Sequence, residues 1–320
     1  MEKNDVREWV GRTYPLVIVD EAQDLRPERL RILRALEANV LMLAAADEFQ
    51  CLIPALRPSP AMQWLDERCK PLTLSAQRRT NQAVLISAAQ AIRAGKAVVA
   101  GRNLTVVAAP GRPPFEFAAS CVANAIAWNG GKDIALITPS KAGGFVSAVV
   151  ERVGSGPVGK KKNGPYQIHW EQSDEDIVEH HVSNLDLPAD GELAATLEAL
   201  NMPGDHPAIG MCRDAVRRCH SLTGRQNFDH DFVRQQLAVC FTRYRRFANV
   251  NANHIKAMTV HQAKNREFNG VIIIWPYKIA GDAEQQRRLL YNAITRAKQW
   301  CAIIVQGHDL LKKPPFAAQP

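Results

Sequence analysis

Two adjacent carboxylates, Asp20 and Glu21, directly follow a run of four apolar residues, Leu16–Val19. The run predicts a strand that is buried on both faces of a parallel sheet, and open α/β sheets bind their ligands at the carboxyl ends of such strands. In a nucleotide hydrolase, Asp20 would hold Mg²⁺ through its oxygen atoms and Glu21 would polarise the attacking water. Acidic pairs at strand ends often only cap the following helix, so this pair alone leaves both interpretations open.

A phosphate-binding loop of the pattern G-x-x-x-x-G-K-[ST] does not occur in the sequence. Glycine and lysine meet at Gly95–Lys96, Gly130–Lys132 and Gly159–Lys162, and none of these places combines paired glycines at the required spacing with a lysine and a hydroxyl residue directly after it. The sequence therefore predicts one half of a nucleotide-hydrolysing site.

The 320-residue chain has a formal net charge of +8, which is compatible with a polyanionic partner but does not establish one. The segment Thr242–Phe247 interleaves Arg243, Arg245 and Arg246 with two aromatic residues, a mixture that contacts phosphates and stacks on bases. A solvated helix face with its aromatic residues in the core explains the same pattern equally well. Gly159–Asn163 predicts a flexible turn whose lysines could contact a nucleic-acid backbone.

Composition also bounds the cellular setting. The seven cysteines are scattered singly, and their odd number argues against a disulfide framework. The N-terminal residues are charged, and no apolar run approaches the roughly 20 residues of a membrane span. We therefore predict a cytoplasmic chain with reduced thiols and no membrane partner, long enough for two domains.

Strand-like and helix-like segments alternate along much of the chain, which predicts an α/β fold with parallel sheets covered by helices. The predicted strands are Leu16–Val19, Val40–Ala44, Leu104–Ala108, Ile134–Thr138, Ile255–Val260, Val271–Trp275 and Cys301–Val305. The predicted helices are Glu28–Ala38, Asn81–Arg93, Glu116–Trp128 and Gln285–Trp300. In the last helix, Arg288, Asn292 and Arg296 would share one face at intervals of four residues. Between 154 and 253 the pattern becomes mostly helical, which predicts an insertion.

Five segments, in this order, resemble the motifs of UvrD/Rep-type superfamily 1 DNA helicases. DEAQD (20–24) is similar to motif II, ADEFQ (46–50) to motif III, QRRT (77–80) to motif IV, TVHQAKNREF (259–268) to motif V and RRLLYNAITRAK (287–298) to motif VI. The resemblance covers nearly the whole chain, the insertion only loosely. It implies an incomplete first RecA-like domain at 1–71, a second RecA-like domain at 72–153 and 254–320, and a small helical insertion at 154–253.

The resemblance implies a role for each matched residue at the nucleotide. Asp20 would bind Mg²⁺, Glu21 would be the catalytic base, and Gln50 would couple the γ-phosphate of ATP to the DNA site. Arg79 and Arg296 would act as arginine fingers that neutralise charge on the transferring phosphoryl group; an inter-domain salt bridge is the structural alternative for both.

Further matched residues would contact the rest of the nucleotide and the DNA. Glu267 would contact the ribose, and Arg78 stands where the family has a tyrosine that stacks on adenine. Thr259 and His261 would lie near the backbone of single-stranded DNA, where contacts confer affinity without sequence preference.

Several positions depart from the family pattern. Ala46 and Asn265 replace glycines of motifs III and V, and Ala55 and Leu56 stand where the family has an aromatic residue and an arginine that grip single-stranded DNA. The Ala46 replacement would remove a positive-φ conformation from the loop.

Two functional hypotheses follow from these observations. The first is the C-terminal portion of an ATP-dependent helicase that moves 3′→5′ on single-stranded DNA. It would bind ATP and Mg²⁺ weakly or not at all by itself, because its phosphate-binding loop is lost, truncated or on a separate chain. The alternative is a catalytically silent DNA-binding or scaffold subunit with a helicase shape. No clustered carboxylate and lysine signature supports a nuclease.

Overall fold

The computed structural model describes residues 4–74, 79–110, 113–130, 133–171, 174–201, 206–248 and 255–318. The helices are α1 (Asn4–Thr13), α2 (Pro27–Leu36), α3 (Pro60–Arg68), α4 (Ala83–Arg93), α5 (Pro114–Trp128), α6 (Phe145–Ser155), α7 (Asp174–Asn184), α8 (Leu193–Ala199), α9 (Pro207–Thr223), α10 (His230–Ala248) and α11 (Ala283–Ile294). The strands are β1 (Leu16–Val19), β2 (Leu41–Ala44), β3 (Leu104–Ala108), β4 (Ile134–Thr138), β5 (Ile168–Trp170), β6 (Ile255–Thr259), β7 (Phe268–Trp275) and β8 (Ala297–Val305). None of the helices in these ranges has the length and apolar character needed to cross a bilayer.

The chain forms two compact units. The main unit comprises Met1–Ile168 and Ile255–Pro320, and the inserted unit comprises His169–His254. The inserted unit packs α7, α8, α9 and α10 around a core of its own that includes Ile209, Val216, Leu237 and Phe241.

The larger sheet of the chain has the strand order β3-β8-β7-β4-β6-β5. The pairs β3–β8, β8–β7, β7–β4 and β4–β6 are all parallel. Every residue of β4 is buried, as are the last six residues of β7, because a parallel sheet in an α/β domain is covered on both faces. The α/β fold predicted from the alternation of strands and helices is confirmed.

One face of this sheet packs against α4 and α11. Ile137 and Ile273 belong to one buried cluster with Ile92 of α4 and Leu290 of α11. The side chain of Asp282 starts α11 by accepting a hydrogen bond from the backbone N–H of Gln285 at 2.7 Å, an N-cap that satisfies a donor the helix leaves unpaired.

The predicted helix Gln285–Trp300 is too long. The observed helix α11 ends at Ile294, and β8 begins at Ala297, so Arg296 lies in the turn between the helix and the strand and not on a helix face. The spacing of the apolar residues after Ile294 fits a helix as well as a strand. The pairing of β8 with both β7 and β3 shows that this segment is a strand.

The smaller sheet contains β1 and β2, which pair in parallel with Leu16 opposite Leu41 and Val19 opposite Ala44. The helices α2 and α3 cover one face of this pair through Leu30, Trp64 and Leu65.

The expectation that Leu16–Val19 is buried on both faces is wrong. Leu16 and Ile18 are 48% and 66% exposed, and Leu41 and Leu43 on the neighbouring strand are 72% and 62% exposed. These four side chains, here called the open face, alternate with the inward-pointing residues of each strand, and no helix of the described residues covers them.

We expect Gly270→Ala in β7 to lower the free energy of unfolding of the main unit by about 1–3 kcal/mol. A Cβ atom at this position would collide with the indole of Trp300 on β8, which stands opposite in the sheet register. Denaturant unfolding followed by circular dichroism measures the change.

The matched control is Gly154→Ala in α6, where a Cβ atom meets only the carbonyl oxygen of Tyr166 at an ordinary 3.8 Å. We expect this variant to be neutral or more stable by up to ~1 kcal/mol. Equal stabilities for the two variants would contradict the packing of Trp300 over Gly270.

Candidate active site

The carboxyl ends of β1 and β2 form one edge because the two strands are parallel and in register. The backbone N–H of Ala45 donates to Val19 O at 2.8 Å, and the N–H of Ala22 donates to Ala45 O at 2.9 Å, so the loops after both strands stay together. They enclose a pocket of about 170 Å³, lined by Asp20, Glu21, Gln23, Ala45, Ala46, Asp47 and Gln50. Asp20, Glu21 and Gln50, three of the residues predicted from the sequence motifs, thus line one pocket.

Glu21 adopts a left-handed backbone conformation with φ 53° and ψ 44°. This region is uncommon for residues other than glycine, asparagine and aspartate, and residues held there cluster at functional sites. The Asp20 carboxylate contributes to the turn by accepting a hydrogen bond from the Glu21 N–H at 2.9 Å.

Gln23, the glutamine of DEAQD, is fully buried and joins the two loops of the pocket. Its Nε2 donates to Glu21 Oε2, and its Oε1 accepts a hydrogen bond from the backbone N–H of Asp47 at 2.9 Å. Sequence reasoning did not assign a role to Gln23. The available signal was an amide between two carboxylates directly after a strand.

Asp47 connects the loop 46–50 to helix α4. Its carboxylate receives two hydrogen bonds from Arg93 of α4, at 2.6 and 3.0 Å, in the bidentate geometry that suits a guanidinium and a carboxylate. Gln50 Nε2 also donates to Asp47, at 3.0 Å, so the amide of Gln50 is directed to this carboxylate. The roles of Asp47 and Arg93 were not foreseen because the two residues are 46 positions apart.

Phe49 lies among three guanidinium groups. Arg93, Arg287 and Arg288 have their Cζ atoms 5.6, 5.4 and 5.1 Å from its ring centroid, and Tyr291 meets the ring edge to face at 5.1 Å. Cation–π contacts of this kind stabilise by about 0.5–2 kcal/mol each. They attach the loop between β2 and α3 to α4 and α11.

Lys264, in the turn after β6, reaches the acidic loop that follows β1. Its Nζ forms an ion pair with Asp24 and lies 3.5 Å from Glu21 Oε2 and 3.4 Å from Gln50 O. The turn itself needs a left-handed residue, and Asn265 supplies it with φ 61°. Asparagine tolerates this conformation, so Asn265 retains the backbone conformation that a glycine would supply there.

A second cluster of charges surrounds Glu267. Arg79 Nε donates to its Oε1 at 2.7 Å, and Lys298 Nζ lies 3.3 Å from its Oε2. Burial alone would raise the pKa of Glu267, but the hydrogen bonds from Arg79 and Lys298 outweigh it and lower the pKa of this carboxyl. Arg79 also reaches Thr295 O at 3.4 Å.

Arg296 is only 1% exposed and donates to two backbone carbonyl oxygens, those of Asn292 at 3.0 Å and Arg266 at 3.3 Å. Burial, followed by the positive charge of Arg79, lowers the pKa of Arg296 to about 10, although the charge of Glu21 acts in the opposite direction.

Thr259 and His261 lie at the carboxyl end of β6, close to Lys264 in the chain. Thr259 Oγ1 is 3.2 Å from Gln262 Oε1. Burial lowers the pKa of His261, and a hydrogen bond to the backbone of Leu52 opposes this change only in part. Burial thus favours the neutral imidazole of His261.

Four predicted residues remain, Arg78, Arg243, Arg245 and Arg246. Arg243 is exposed on α10, in the inserted unit. The same helix includes Arg245 and Arg246, whose side chains are outside the described part of the structure. Arg78, expected to stack on adenine, is also outside the described residues.

The donor set of the pocket suits Mg²⁺. This ion is usually bound through one or two carboxylates together with phosphate oxygens and water, and Asp20 and Glu21 offer carboxylates at the pocket. Asp24 Oδ1 is buried nearby without a hydrogen-bond partner among the described residues. Within the same residues, no group of three or more His, Cys, Asp or Glu side chains could hold a metal ion by itself.

We expect Gln23→Ala to destabilise the main unit by about 1–3 kcal/mol, because it leaves the Asp47 N–H without its buried acceptor and Glu21 without its donor. Thermal unfolding of the purified chain measures the loss. Gln63→Ala, which removes the same amide from an exposed position on α3, is the control and should leave the melting temperature nearly unchanged. Equal melting temperatures for both variants would contradict a bridging role of Gln23.

Comparison with protein families matches the part of the chain that contains the segments 259–268 and 287–298. Residues 254–304 match the family model of the UvrD-like helicase C-terminal domain. A similar solved structure is the C-terminal domain of a possible DNA helicase from Lactobacillus plantarum WCFS1, with 16% sequence identity and a TM-score of 0.35 over 72% of this chain and 89% of that chain. No curated protein matches the sequence. The matched segment carries Thr259, Lys264, Glu267 and Arg296.

Proposed function

We propose that this chain is a portion of an ATP-dependent DNA helicase of the UvrD/Rep type, which couples ATP hydrolysis to 3′→5′ movement on single-stranded DNA. In this proposal residues 1–71 belong to the first RecA-like domain, 72–153 and 254–320 to the second, and 154–253 to the insertion. The observation that carries it is the convergence of Asp20, Glu21 and Gln50 on one pocket that Lys264 reaches from the UvrD-like segment.

The chemistry assigned to the pocket is hydrolysis of the terminal phosphate of ATP. Glu21 would accept a proton from the attacking water while the water oxygen bonds to the γ-phosphorus and the bond to the bridging oxygen of ADP breaks. Asp20 would hold Mg²⁺, which when bound neutralises phosphate charge. Arg79 and Arg296 would stabilise the charge that develops on the phosphoryl oxygens, and Gln50 would report the state of the γ-phosphate to the DNA site.

The DNA and the remainder of the nucleotide would be bound by further residues of the motifs. Glu267 would contact the ribose and Arg78 the adenine. Thr259 and His261 would contact the DNA backbone by hydrogen bonding. Arg243, Arg245 and Arg246 would add contacts from the inserted unit.

The isolated chain is expected to hydrolyse ATP slowly or not at all. The pocket lining contains three carboxylates and no cationic side chain, whereas a triphosphate needs a cationic cradle. The open face is a second argument for an additional structural layer. Parallel sheets are normally buried on both faces, and a two-stranded sheet has only marginal stability by itself. We therefore propose that a polypeptide segment bearing a phosphate-binding loop completes the site, in the same protein or as a separate chain.

A catalytically silent, helicase-shaped DNA-binding or scaffold subunit is the second candidate function. The observation that favours it is that two carboxylates at or beside the pocket, those of Asp47 and Asp24, already have cationic partners. Lys264 pairs with Asp24 near Glu21, Arg93 pairs with Asp47, and the amide of Gln50 is directed to Asp47.

ATP hydrolysis by the native assembly distinguishes the two candidates. The protein is isolated from its source through a tag on this chain, and its intact mass and DNA-stimulated ATPase rate are measured. We expect a mass above 35.4 kDa, or a stoichiometric partner with a phosphate-binding loop, and an ATPase rate that Glu21→Gln lowers about 100-fold or more, because the general base is lost.

The control is Glu28→Gln, which removes the same charge from the exposed first turn of α2 and should keep the full rate. An assembly that binds DNA but has no ATPase activity sensitive to Glu21→Gln would support the silent subunit. ATPase activity of the isolated chain that is abolished by Glu21→Gln would refute the need for an additional segment.

A further inference from the structure

Positive charge is distributed unequally between the two units. Residues 169–254 contain eight arginines and no lysine against thirteen aspartates and glutamates, so this part of the chain is acidic despite its Arg243–Arg246 cluster. The rest of the chain has 32 basic and 19 acidic residues and contains every lysine. A polyanion is therefore attracted to the main unit.

Three consecutive lysines of the main unit, Lys160–Lys162, lie in a hydrogen-bonded turn. The backbones of Val158 and Asn163 bond to each other in both directions, at 2.9 and 3.2 Å, and close the turn. Asn163 Nδ2 donates to Asn124 Oδ1 of α5 at 2.7 Å, which attaches the turn to that helix. These bonds connect the backbone on both sides of the lysines to each other and to α5.

The turn places one lysine in an unfavourable backbone conformation. Lys162 has φ 49°, and Gly159 at the start of the turn has φ 69°. A lysine in the left-handed region gains nothing from local hydrogen bonding of the kind that asparagine makes there. Residues held in this region at a cost are frequent at binding sites, and here the conformation presents all three lysines to solvent.

A large aromatic ring lies beside these lysines. Trp128, the last residue of α5, is 65% exposed, and the Nζ of Lys161 lies 4.9 Å from its ring centroid. The Lys161 contact orients the indole. Much of the ring nevertheless stays accessible to a ligand.

The neighbouring carboxylate does not cancel this positive charge. Glu116 on α5 is paired with Arg152 at 3.0 Å, and Arg152 also donates to Pro157 O at 3.5 Å, at the beginning of the turn. Because Arg152 already neutralises Glu116, this carboxylate does not offset the charge of the three lysines.

We propose that Trp128 and Lys160–Lys162 form a contact surface for single-stranded nucleic acid, outside the helicase motifs. The lysines would bind successive phosphates, and the indole would stack on a base. An exposed indole favours a single strand over a duplex, because the faces of bases within a duplex are already stacked. The proposal rests on the proposed function in that it takes DNA as the partner, but it uses residues that no motif contains.

Fluorescence anisotropy of a labelled twenty-nucleotide oligothymidylate, titrated with the whole chain at several salt concentrations, tests the surface. Trp128→Ala should weaken binding by roughly tenfold, because stacking on one base is worth about 1–3 kcal/mol, whereas Trp128→Phe should retain much of the affinity. The double variant Lys160→Ala with Lys161→Ala should reduce the slope of log K against log salt by about 1.4, since each phosphate contact on a single strand contributes about 0.7.

Lys312→Ala with Lys313→Ala is the matched control, because it removes the same charge from two adjacent lysines that are far from the turn in the sequence. It should leave the slope nearly unchanged. Melting temperatures of all variants verify folding. Equal slopes for the two double variants, or full affinity in Trp128→Ala, would overturn the proposal while leaving DNA as a partner.

Two further outcomes would also overturn this surface. If the unmodified chain does not bind the oligonucleotide, both the proposed surface and DNA binding by the isolated chain are refuted. Binding to vesicles with 30% phosphatidylserine, lost in Trp128→Ala while oligonucleotide binding persists, would assign Trp128 and the lysines to an anionic membrane.

Discussion

The parallel, in-register pairing of β1 with β2 is the constraint on which the candidate site depends. It brings the turn after Val19 and the loop after Ala44 to the same edge of a sheet, where one buried amide can join them. Gln23 makes that connection through the Glu21 carboxylate and the Asp47 N–H. Without parallel strands, the carboxylates of DEAQD and the glutamine of ADEFQ would lie at opposite ends of their strands and could not share a pocket.

The counter-charges of this acidic edge come from distant parts of the sequence. Lys264 in the turn after β6 pairs with Asp24, and Arg93 at the end of α4 pairs with Asp47. Arg93 is about half exposed in its pair with Asp47, and exposed ion pairs contribute little net stability. A phosphate-bearing ligand could therefore exchange partners with Arg93 at a small cost in free energy, which is the property a site needs if it is to change contacts during a reaction cycle.

The same region combines two incomplete features. Leu16, Ile18, Leu41 and Leu43 leave one face of the β1–β2 sheet open, and the pocket at the end of these strands lacks a cationic lining. Both features would be resolved by one additional α/β layer that covers the apolar face and supplies a phosphate-binding loop, since sheet strands and nucleotide loops occur together in such layers. The additional segment of the proposed function would therefore account for both features together.

The sequence by itself determined the α/β class, most of the strand positions and the resemblance to UvrD-like helicases, because apolar runs and motif spacing are local properties. It also selected Asp20, Glu21 and Gln50, which the structure brings to one pocket. The exposure of Leu16 and Ile18 could not be read from the sequence, since an apolar run is the same whether one helical layer or two cover it. Likewise, the apolar residues after Ile294 fit a helix or a strand, and only pairing with β7 and β3 decided that Arg296 lies in a turn. The partners of Asp47, Asp24 and Phe49 required the tertiary structure, because ion pairs and ring contacts between residues far apart in the chain depend on how the elements pack.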